Sequence, residues 1–293
     1  MLAPICLFTY NRLKETQQTI EALKNNYLAS ESELYVFSDG WKNEISKNKV
    51  IKIRDFLRTV NGFKSIRIEE SSYNKGLANS IIYGATQIIR KHEKIIVLED
   101  DLVTAPNFLN FMNQALDFYV NNPKIFSITG YSLNLPKLKT YNKDFYLGYR
   151  ASSWGWGTWK NRWDSVDWEV KNYNHFKYNF SDQCRFMRGG SDMPSMLKNQ
   201  MNGRIDSWAI RWCYNQFKQN TLTVFPSRSK LISIGFTFEA THTKKTNRFY
   251  TDLDSSNQTT FKFDTNPVIN EQITNELRNK YSILNRLKDK LFI

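Results

Sequence analysis

The feature that most narrows the fold is an alternation running through residues 1–130, in which short runs rich in β-branched and aromatic residues are each followed by a segment of helical periodicity. This is the pattern of parallel strands joined by crossover helices, because a parallel partner strand is reached only through a long return connection. Strands are predicted at 5–9, 34–38, 65–69, 95–98 and 126–129, and helices at 14–25, 47–59, 77–91 and 106–121. The third helix carries Leu77, Ile81, Ala85 and Ile88 at three- and four-residue spacing, so it buries one face on the sheet. The expected class is α/β, with a mostly parallel sheet flanked by helices.

Size and charge then bound the function. With 293 residues, 41% of them hydrophobic, the chain can enclose a substantial core, which argues against disorder. Its longest apolar runs, near 95–98 and 231–238, fall far short of the roughly 20 residues a spanning helix needs. The start, Met1-Leu2-Ala3-Pro4-Ile5-Cys6, has neither a basic leader nor a small-residue cleavage site, so the expectation is a cytoplasmic protein. Cys6, Cys184 and Cys213 are odd in number and far apart, with no C-x-x-C spacing, which fits a reducing compartment. A formal net charge of +13 implies attraction to a polyanion: nucleic acid, anionic lipid or a phosphate-bearing substrate. No cysteine–histidine, basic-zipper or aromatic RNP pattern of a nucleic-acid module is present, so nucleic acid is not an expected partner.

Ligands of open parallel α/β sheets bind outside the carboxyl ends of the strands. The polar residues that follow each predicted strand are Tyr10-Asn11-Arg12, Ser38-Asp39-Gly40, the stretch from Ser71 to Gly76, and Glu99-Asp100-Asp101. All four clusters should meet at one mouth. From about 141 to 178 the composition shifts, with Trp154, Trp156, Trp159, Trp163 and Trp168 crowded among Tyr and Phe. Aromatic faces suit sugar rings, and they equally suit a core of large side chains. The tail, 268–293, carries Ile269, Ile273, Leu277, Leu284, Leu287 and Leu291 at helical spacing with Lys280, Arg286, Lys288 and Lys290 beside them. Such an amphipathic basic helix can lie on an anionic membrane, dock on the domain or dimerise.

The strongest chemical signal is Val97-Leu98-Glu99-Asp100-Asp101, an apolar strand ending in three carboxylates. Adjacent acids repel one another, and a cation at the sheet mouth relieves the repulsion. Carboxylate, phosphate and water oxygens suit Mg²⁺ or Mn²⁺. The alternative is that the acids favour the N-terminus of the following helix, where Thr104 is the nearer cap. Arg12 and Lys75 are reasonable partners for phosphate, although a single Arg or Lys is more often a solvated surface charge.

These motifs together resemble glycosyltransferases of the GT-A fold, whose sheet is Rossmann-like. The resemblance rests on Pro4-Ile5 with Thr9-Tyr10-Asn11-Arg12, on Ser38-Asp39-Gly40, on Asn74-Lys75-Gly76-Leu77-Ala78, and on the acid triad followed by Ala105-Pro106-Asn107-Phe108. It combines features of bacterial family 2 enzymes with the metal-site segment of the N-acetylglucosaminyltransferase I family. It implies that Asp101 holds the metal, with Glu99 and Asp100 at the nucleotide. It further implies that Thr9, Tyr10, Asn11 and Arg12 touch the nucleoside, with Asp39 beside the base or ribose. The family places an acid before a Trp on a helix after the aromatic segment. The matching stretch, Arg204-Ile205-Asp206-Ser207-Trp208, makes Asp206 the candidate catalytic base that inverting transfer requires, with a helix N-cap as the alternative. The family has two consecutive acids there, whereas Ser207 stands in the nearer position here. The stretches 226–229 and 234–243 resemble a segment that closes over the donor diphosphate, with His242 a second candidate for metal or phosphate.

The resulting expectation is an inverting, metal-dependent enzyme that moves a hexose or N-acetylhexosamine from a UDP-sugar to the hydroxyl of a carbohydrate or glycolipid acceptor in surface glycan assembly. Residues 1–130 would form the donor half, 131–267 the aromatic-rich acceptor and catalytic half, and 268–293 the amphipathic helix, placing the protein at the inner face of the cell membrane. A sugar-phosphate nucleotidyltransferase is the second reading, weakened because Tyr10-Asn11-Arg12 lacks a Gly-rich phosphate loop. A non-catalytic carbohydrate- or membrane-binding scaffold is the third.

Overall fold

The computed structural model describes residues 1–235 and 247–291. The first half runs β1 (Ile5–Thr9), α1 (Leu13–Lys24), β2 (Glu33–Ser38), α2 (Glu44–Leu57), β3 (Ser65–Glu70), α3 (Leu77–His92), β4 (Lys94–Glu99), β5 (Leu102–Thr104), α4 (Phe108–Phe118) and β6 (Ile125–Thr129). The remainder adds β7 (Phe145–Gly148), β8 (Trp156–Trp159), α5 (Lys160–Asp164), α6 (Tyr173–Tyr178), α7 (Phe180–Phe186), α8 (Met193–Met201), α9 (Trp208–Lys218), β9 (Leu222–Pro226), β10 (Leu231–Ser233), α10 (Glu271–Lys280) and α11 (Ile283–Leu291).

Eight strands form one sheet in the order β3-β2-β1-β4-β8-β6-β9-β7. β3, β2, β1 and β4 pair in parallel. β8 lies antiparallel between β4 and β6, β9 runs parallel to β6, and β7 closes the edge antiparallel to β9. Among the described residues, six strands of this sheet therefore point one way, and β7 and β8 the other. β5 and β10 pair separately as a two-stranded antiparallel ribbon just beyond β4.

Strand alternation divides the core into two layers. Ile5 and Leu7 of β1 face α1, α2 and α4, joining Ile20, Leu23, Ile53, Leu57 and Leu109. Cys6 and Phe8 face α3 and α9, joining Ile81, Ala85 and Trp212. Strands covered on both sides read as near-continuous apolar runs, as these do. Most of the aromatic cluster belongs to the second layer: Trp156 stacks on Trp163 at 5.4 Å and packs with Trp208 and Trp212. Each such ring, once buried, contributes on the order of 2–3 kcal/mol. Trp159 is buried in the first layer, where its indole N–H donates to the Leu116 carbonyl at 3.0 Å. Of the five Trp residues between 141 and 178, only Trp154 and Trp168 are half-buried.

After Phe249 the chain crosses α4 without forming helix or strand until α10, tied down by side chains. Asn107 donates to Asp254 and to the Ser256 carbonyl, Gln114 donates to the Thr259 carbonyl and accepts from Phe261 N–H, and the Tyr119 hydroxyl donates to the Asp264 carbonyl. A buried Lys230–Asp254 ion pair pins the start of this crossing. The C-terminal segment is divided in two over its described residues, 268–291. α10, capped by Asn270, buries Ile273 and Leu277, and Tyr281 stacks under Arg150 with the guanidinium 4.1 Å from its ring. Ser282 then caps a new helix by accepting from Asn285 N–H at 3.3 Å. α11 leaves Ile283, Leu284 and Leu287 exposed. No described helix is long and apolar enough to cross a membrane.

Candidate active site

The parallel register sets the geometry of the mouth. Thr9 lies level with Ser38, Ser38 with Glu70, and Phe8 with Glu99, so the carboxyl ends of β1 to β4 finish side by side. The loops that follow are then joined to one another by hydrogen bonds.

After β1 the chain turns directly into α1, and Arg12 occupies the N-cap position. Its carbonyl accepts from both the backbone N–H and the hydroxyl of Thr16, at 3.0 and 2.7 Å, which fixes the Arg12 backbone. Its guanidinium reaches across to the turn after β4. There Nη1 donates to Asp101 Oδ2 at 2.9 Å, and Nη2 pairs with Asp100 Oδ1. Tyr10 N–H donates to the other Asp100 oxygen at 3.2 Å. The Thr9 hydroxyl is buried at the same place, with no hydrogen-bond partner among the described residues. Asn11 is half-buried beside them.

The acid turn itself is braced from both sides. The Thr19 hydroxyl donates to the Asp100 carbonyl at 2.9 Å and accepts from Leu102 N–H at 3.1 Å, while Ile234 N–H donates to the Asp101 carbonyl at 2.9 Å. Gly235 then passes so close to Asp101 that a Cβ there would overlap the carboxylate. Burial, reinforced by the negative charges of Asp101 and Asp100, pushes the Glu99 carboxyl up to about 8. Burial likewise raises Asp100, to about 6, against the opposing pull of Arg12.

Asp39 is held differently. Its Oδ1 accepts from Gly40 N–H at 2.9 Å and Lys75 N–H at 2.8 Å, and its Oδ2 accepts from Asn74 Nδ2 and Gly76 N–H, each at 3.0 Å. Four donors fill the lone-pair capacity of a carboxylate, so Asp39 organises the loop entering α3. Gly76, at φ +77°, takes a backbone conformation that a side chain would strain. Lys75 contributes its N–H to this corner, but its ammonium turns away, 3.7 Å over the Tyr83 ring and 4.0 Å from Glu69. It lines an open cleft of about 720 Å³ with Tyr73, Asn79 and Glu69 at the end of β3.

One positioning residue is absent from the sequence reading. Arg54, in α2 and 8% exposed, donates to the Ser38 hydroxyl at 3.2 Å and to the Ser71 carbonyl at 2.7 Å, clamping the ends of β2 and β3. Its signal is a charge set within an otherwise buried stripe, Val50, Ile53, Arg54 and Leu57.

Asp206 sits just before α9. That helix leads down to β9, which runs with β1 and β4, so the N-terminus of α9 lies at the same end of the sheet as the acid turn. Ser207 is the N-cap, its hydroxyl accepting from Ile210 N–H at 3.3 Å. Asp206 is therefore not the cap. Its carboxylate is exposed and pairs with Arg211 at 3.7 Å. His242 lies outside the described residues.

Among the described residues no three His, Cys, Asp or Glu side chains form a ready-made metal cage. The donors present are the paired carboxylates Asp100 and Asp101 beside the Arg12 guanidinium. They fit Mg²⁺ or Mn²⁺ of the kind held by one or two carboxylates and completed by substrate phosphates.

No protein-family profile matches the chain, and no curated protein matches it. Among solved structures, partial likeness is found to S. aureus TarS, with a TM-score of 0.32 and 15% identity over 44% of this chain and 21% of that one. TarS 1–349 in complex with UDP gives a TM-score of 0.32 and 14% identity over 44% of this chain and 35% of that one. The mannosyltransferase PcManGT from Pyrobaculum calidifontis, in complex with GDP-Man and Mn2+, gives 0.36 and 9% over 55% of this chain and 46% of that one. The chain thus spans less than half the length of each of these proteins.

Proposed function

We propose that this chain is a GT-A glycosyltransferase that transfers a sugar from a nucleoside-diphosphate sugar, with a UDP-sugar as the favoured donor, to a carbohydrate hydroxyl with inversion. The observation that carries this reading is the convergence of Arg12, Asp100 and Asp101 at the carboxyl ends of adjacent parallel strands. Thr9, Tyr10 and Asn11 would border the nucleoside, with the buried Thr9 hydroxyl still to be satisfied. Asp39 would shape the base and ribose side through the loop it holds. Asp101, with Asp100 behind it, would hold a Mg²⁺ or Mn²⁺ ion that offsets the charge gathering on the departing diphosphate.

Asp206 is the proposed general base. A base must be open to the acceptor and not committed to a cap, and the exposed Asp206 carboxylate meets both conditions. It would take the proton of the attacking hydroxyl as the bond from the sugar to the diphosphate breaks, so that each displacement yields one glycoside and one nucleoside diphosphate.

The deciding assay measures products. Release of nucleoside diphosphate from a sugar nucleotide, dependent on Mn²⁺ and a glycan acceptor, supports transfer. Pyrophosphate release from a sugar phosphate and a nucleoside triphosphate would replace it with nucleotidyl transfer. Sugar binding that needs neither nucleotide nor metal would replace it with a scaffold.

We further propose that α11 contacts an anionic membrane, because its exposed Ile283, Leu284 and Leu287 accompany a basic chain. Removing residues 283–293 should weaken binding to phosphatidylserine vesicles while leaving transfer to a small acceptor intact. Unchanged vesicle binding would exclude this role.

A further inference from the structure

The Arg12 guanidinium touches both acids of the turn, at Asp101 Oδ2 and Asp100 Oδ1. Its backbone is immobilised by Thr16, whereas its side chain is 19% exposed at the mouth. The guanidinium can therefore change partners without moving β1 or α1. Gly235 closes another side of the pair: a Cβ there would overlap Asp101 and come within 3.2 Å of Arg12 Nη1. A divalent cation arriving at Asp101 would meet a positive charge already bonded to the same carboxylate, and the two cations repel. A diphosphate supplies a new acceptor for the guanidinium in the bidentate geometry that Arg favours.

We propose that Arg12 is a partner-exchanging cation: in the free protein it neutralises Asp100 and Asp101, and when a nucleoside diphosphate arrives with a divalent cation, the guanidinium moves to the phosphate oxygens and leaves Asp101 to the metal. The diphosphate part of this inference rests on the donor reading above, while the competition between Arg12 and the metal does not. The consequence is obligatory coupling. Metal alone binds weakly because it must displace Arg12, nucleotide alone binds weakly because Arg12 stays with the acids, and each strengthens the other reciprocally.

The test titrates Mn²⁺ into the whole protein and counts free Mn²⁺ by electron paramagnetic resonance, with and without UDP. In wild type, Mn²⁺ affinity should rise with UDP by a factor in the range of about 5–150 typical of such coupling. Without nucleotide, Arg12→Gln should bind Mn²⁺ about tenfold more tightly than wild type, and the gain from UDP should shrink. Arg12→Lys, which keeps the positive charge, should remain near wild type. Adding Asp101→Asn to Arg12→Gln should remove the new affinity. Mn²⁺ affinity in folded Arg12→Gln that equals or falls below wild type overturns the exchange, as does a gain that survives Asp101→Asn. If Arg12→Gln does not fold, independent binding of UDP and Mn²⁺ to wild type overturns it instead. Tighter Mn²⁺ binding in Arg12→Gln with no response to any nucleotide would uphold the competition at the acids and refute the donor reading.

Discussion

Asp39 follows β2 and the Asp100–Asp101 pair follows β4, with β1 between them, and the two sites neutralise their charge in different ways. Asp39 is saturated by three backbone N–H groups and one amide, all fixed by the local fold. Asp100 and Asp101 share one Arg side chain that reaches in from another loop. A carboxylate held by backbone donors cannot be released without unfolding its loop. One held by an Arg side chain that itself reaches solvent can be released by a rotamer change. The same distinction separates the mouth, where the Arg12 side chain is 19% and that of Asp101 16% exposed, from the Lys230–Asp254 pair, whose side chains are 3% and 1% exposed and so are closed to exchange. The difference sorts the acids of this chain into those that build the edge and those available to a ligand.

The largest effect that could break this sorting is at Asp206, which stands with the available acids. Asp206→Asn should lower turnover by about 10² to 10⁴-fold, the usual contribution of a general base, with donor affinity and melting temperature unchanged. Because Ser207 is the cap, no loss of helix stability is expected. Near-wild-type turnover would remove Asp206 from the chemistry.

Next in size is the closed pair. Asp254→Asn leaves Lys230 buried and unpaired, which should cost about 3–5 kcal/mol at pH 7. Burial tends to raise the Asp254 carboxyl, but the hydrogen bonds from Lys230 and Asn107, the Lys230 charge and the Ser256 N–H together hold it below the ordinary carboxylate range. A depressed folded value means that the unfolded chain takes up the proton first. The stabilisation is therefore complete above the unfolded value of about 4 and disappears as pH falls through the folded one. Denaturation midpoints of wild type and Asp254→Asn should be far apart at pH 7 and converge below about pH 4. A constant gap would contradict this account of the pair.

A smaller effect is expected at Asp39, since water can reach part of its corner. Asp39→Ala strands donors from Gly40, Lys75 and Gly76 and should cost about 2 kcal/mol of stability. Any loss of nucleotide affinity should follow from loosening the loop, and should be partly recovered by stabilising osmolytes. Full stability with lost affinity would instead move Asp39 into the ligand-touching class.

Much of this was legible in the chain. The strands β1 to β4 and β6 lie within one residue of their predicted limits, because β1, β2, β4 and β6 are largely buried apolar runs and the edge strand β3 alternates Ile66 and Ile68 with polar residues. The clustering of Tyr10–Arg12, Asp39 and Glu99–Asp101 at one edge followed from parallel topology alone. What could not be read depends on distant partners. β8 inserts between β4 and β6, although Trp156 to Trp159 looks like any aromatic stretch, and β5 exists only because β10 pairs with it. The direction of the Lys75 ammonium, toward Tyr83 and away from the acids, is a rotamer set by tertiary neighbours. Likewise, the hydrophobic spacing of the tail runs on through Tyr281 and Ser282, where the stacking of Arg150 on Tyr281 and the Ser282 cap divide it.

By this reading the exchangeable acids, and not the saturated one, bind a cation together with a nucleoside diphosphate. Thermal denaturation of wild type and Asp101→Ala, with UDP, Mn²⁺ or both, tests it most directly. Wild type should be stabilised substantially only when both are present, by about 2.7 kcal/mol at a hundredfold excess over the dissociation constant, and Asp101→Ala should lose that response while folding normally. No stabilisation of wild type by any nucleoside diphosphate with Mn²⁺, or an undiminished response in Asp101→Ala, would contradict the account.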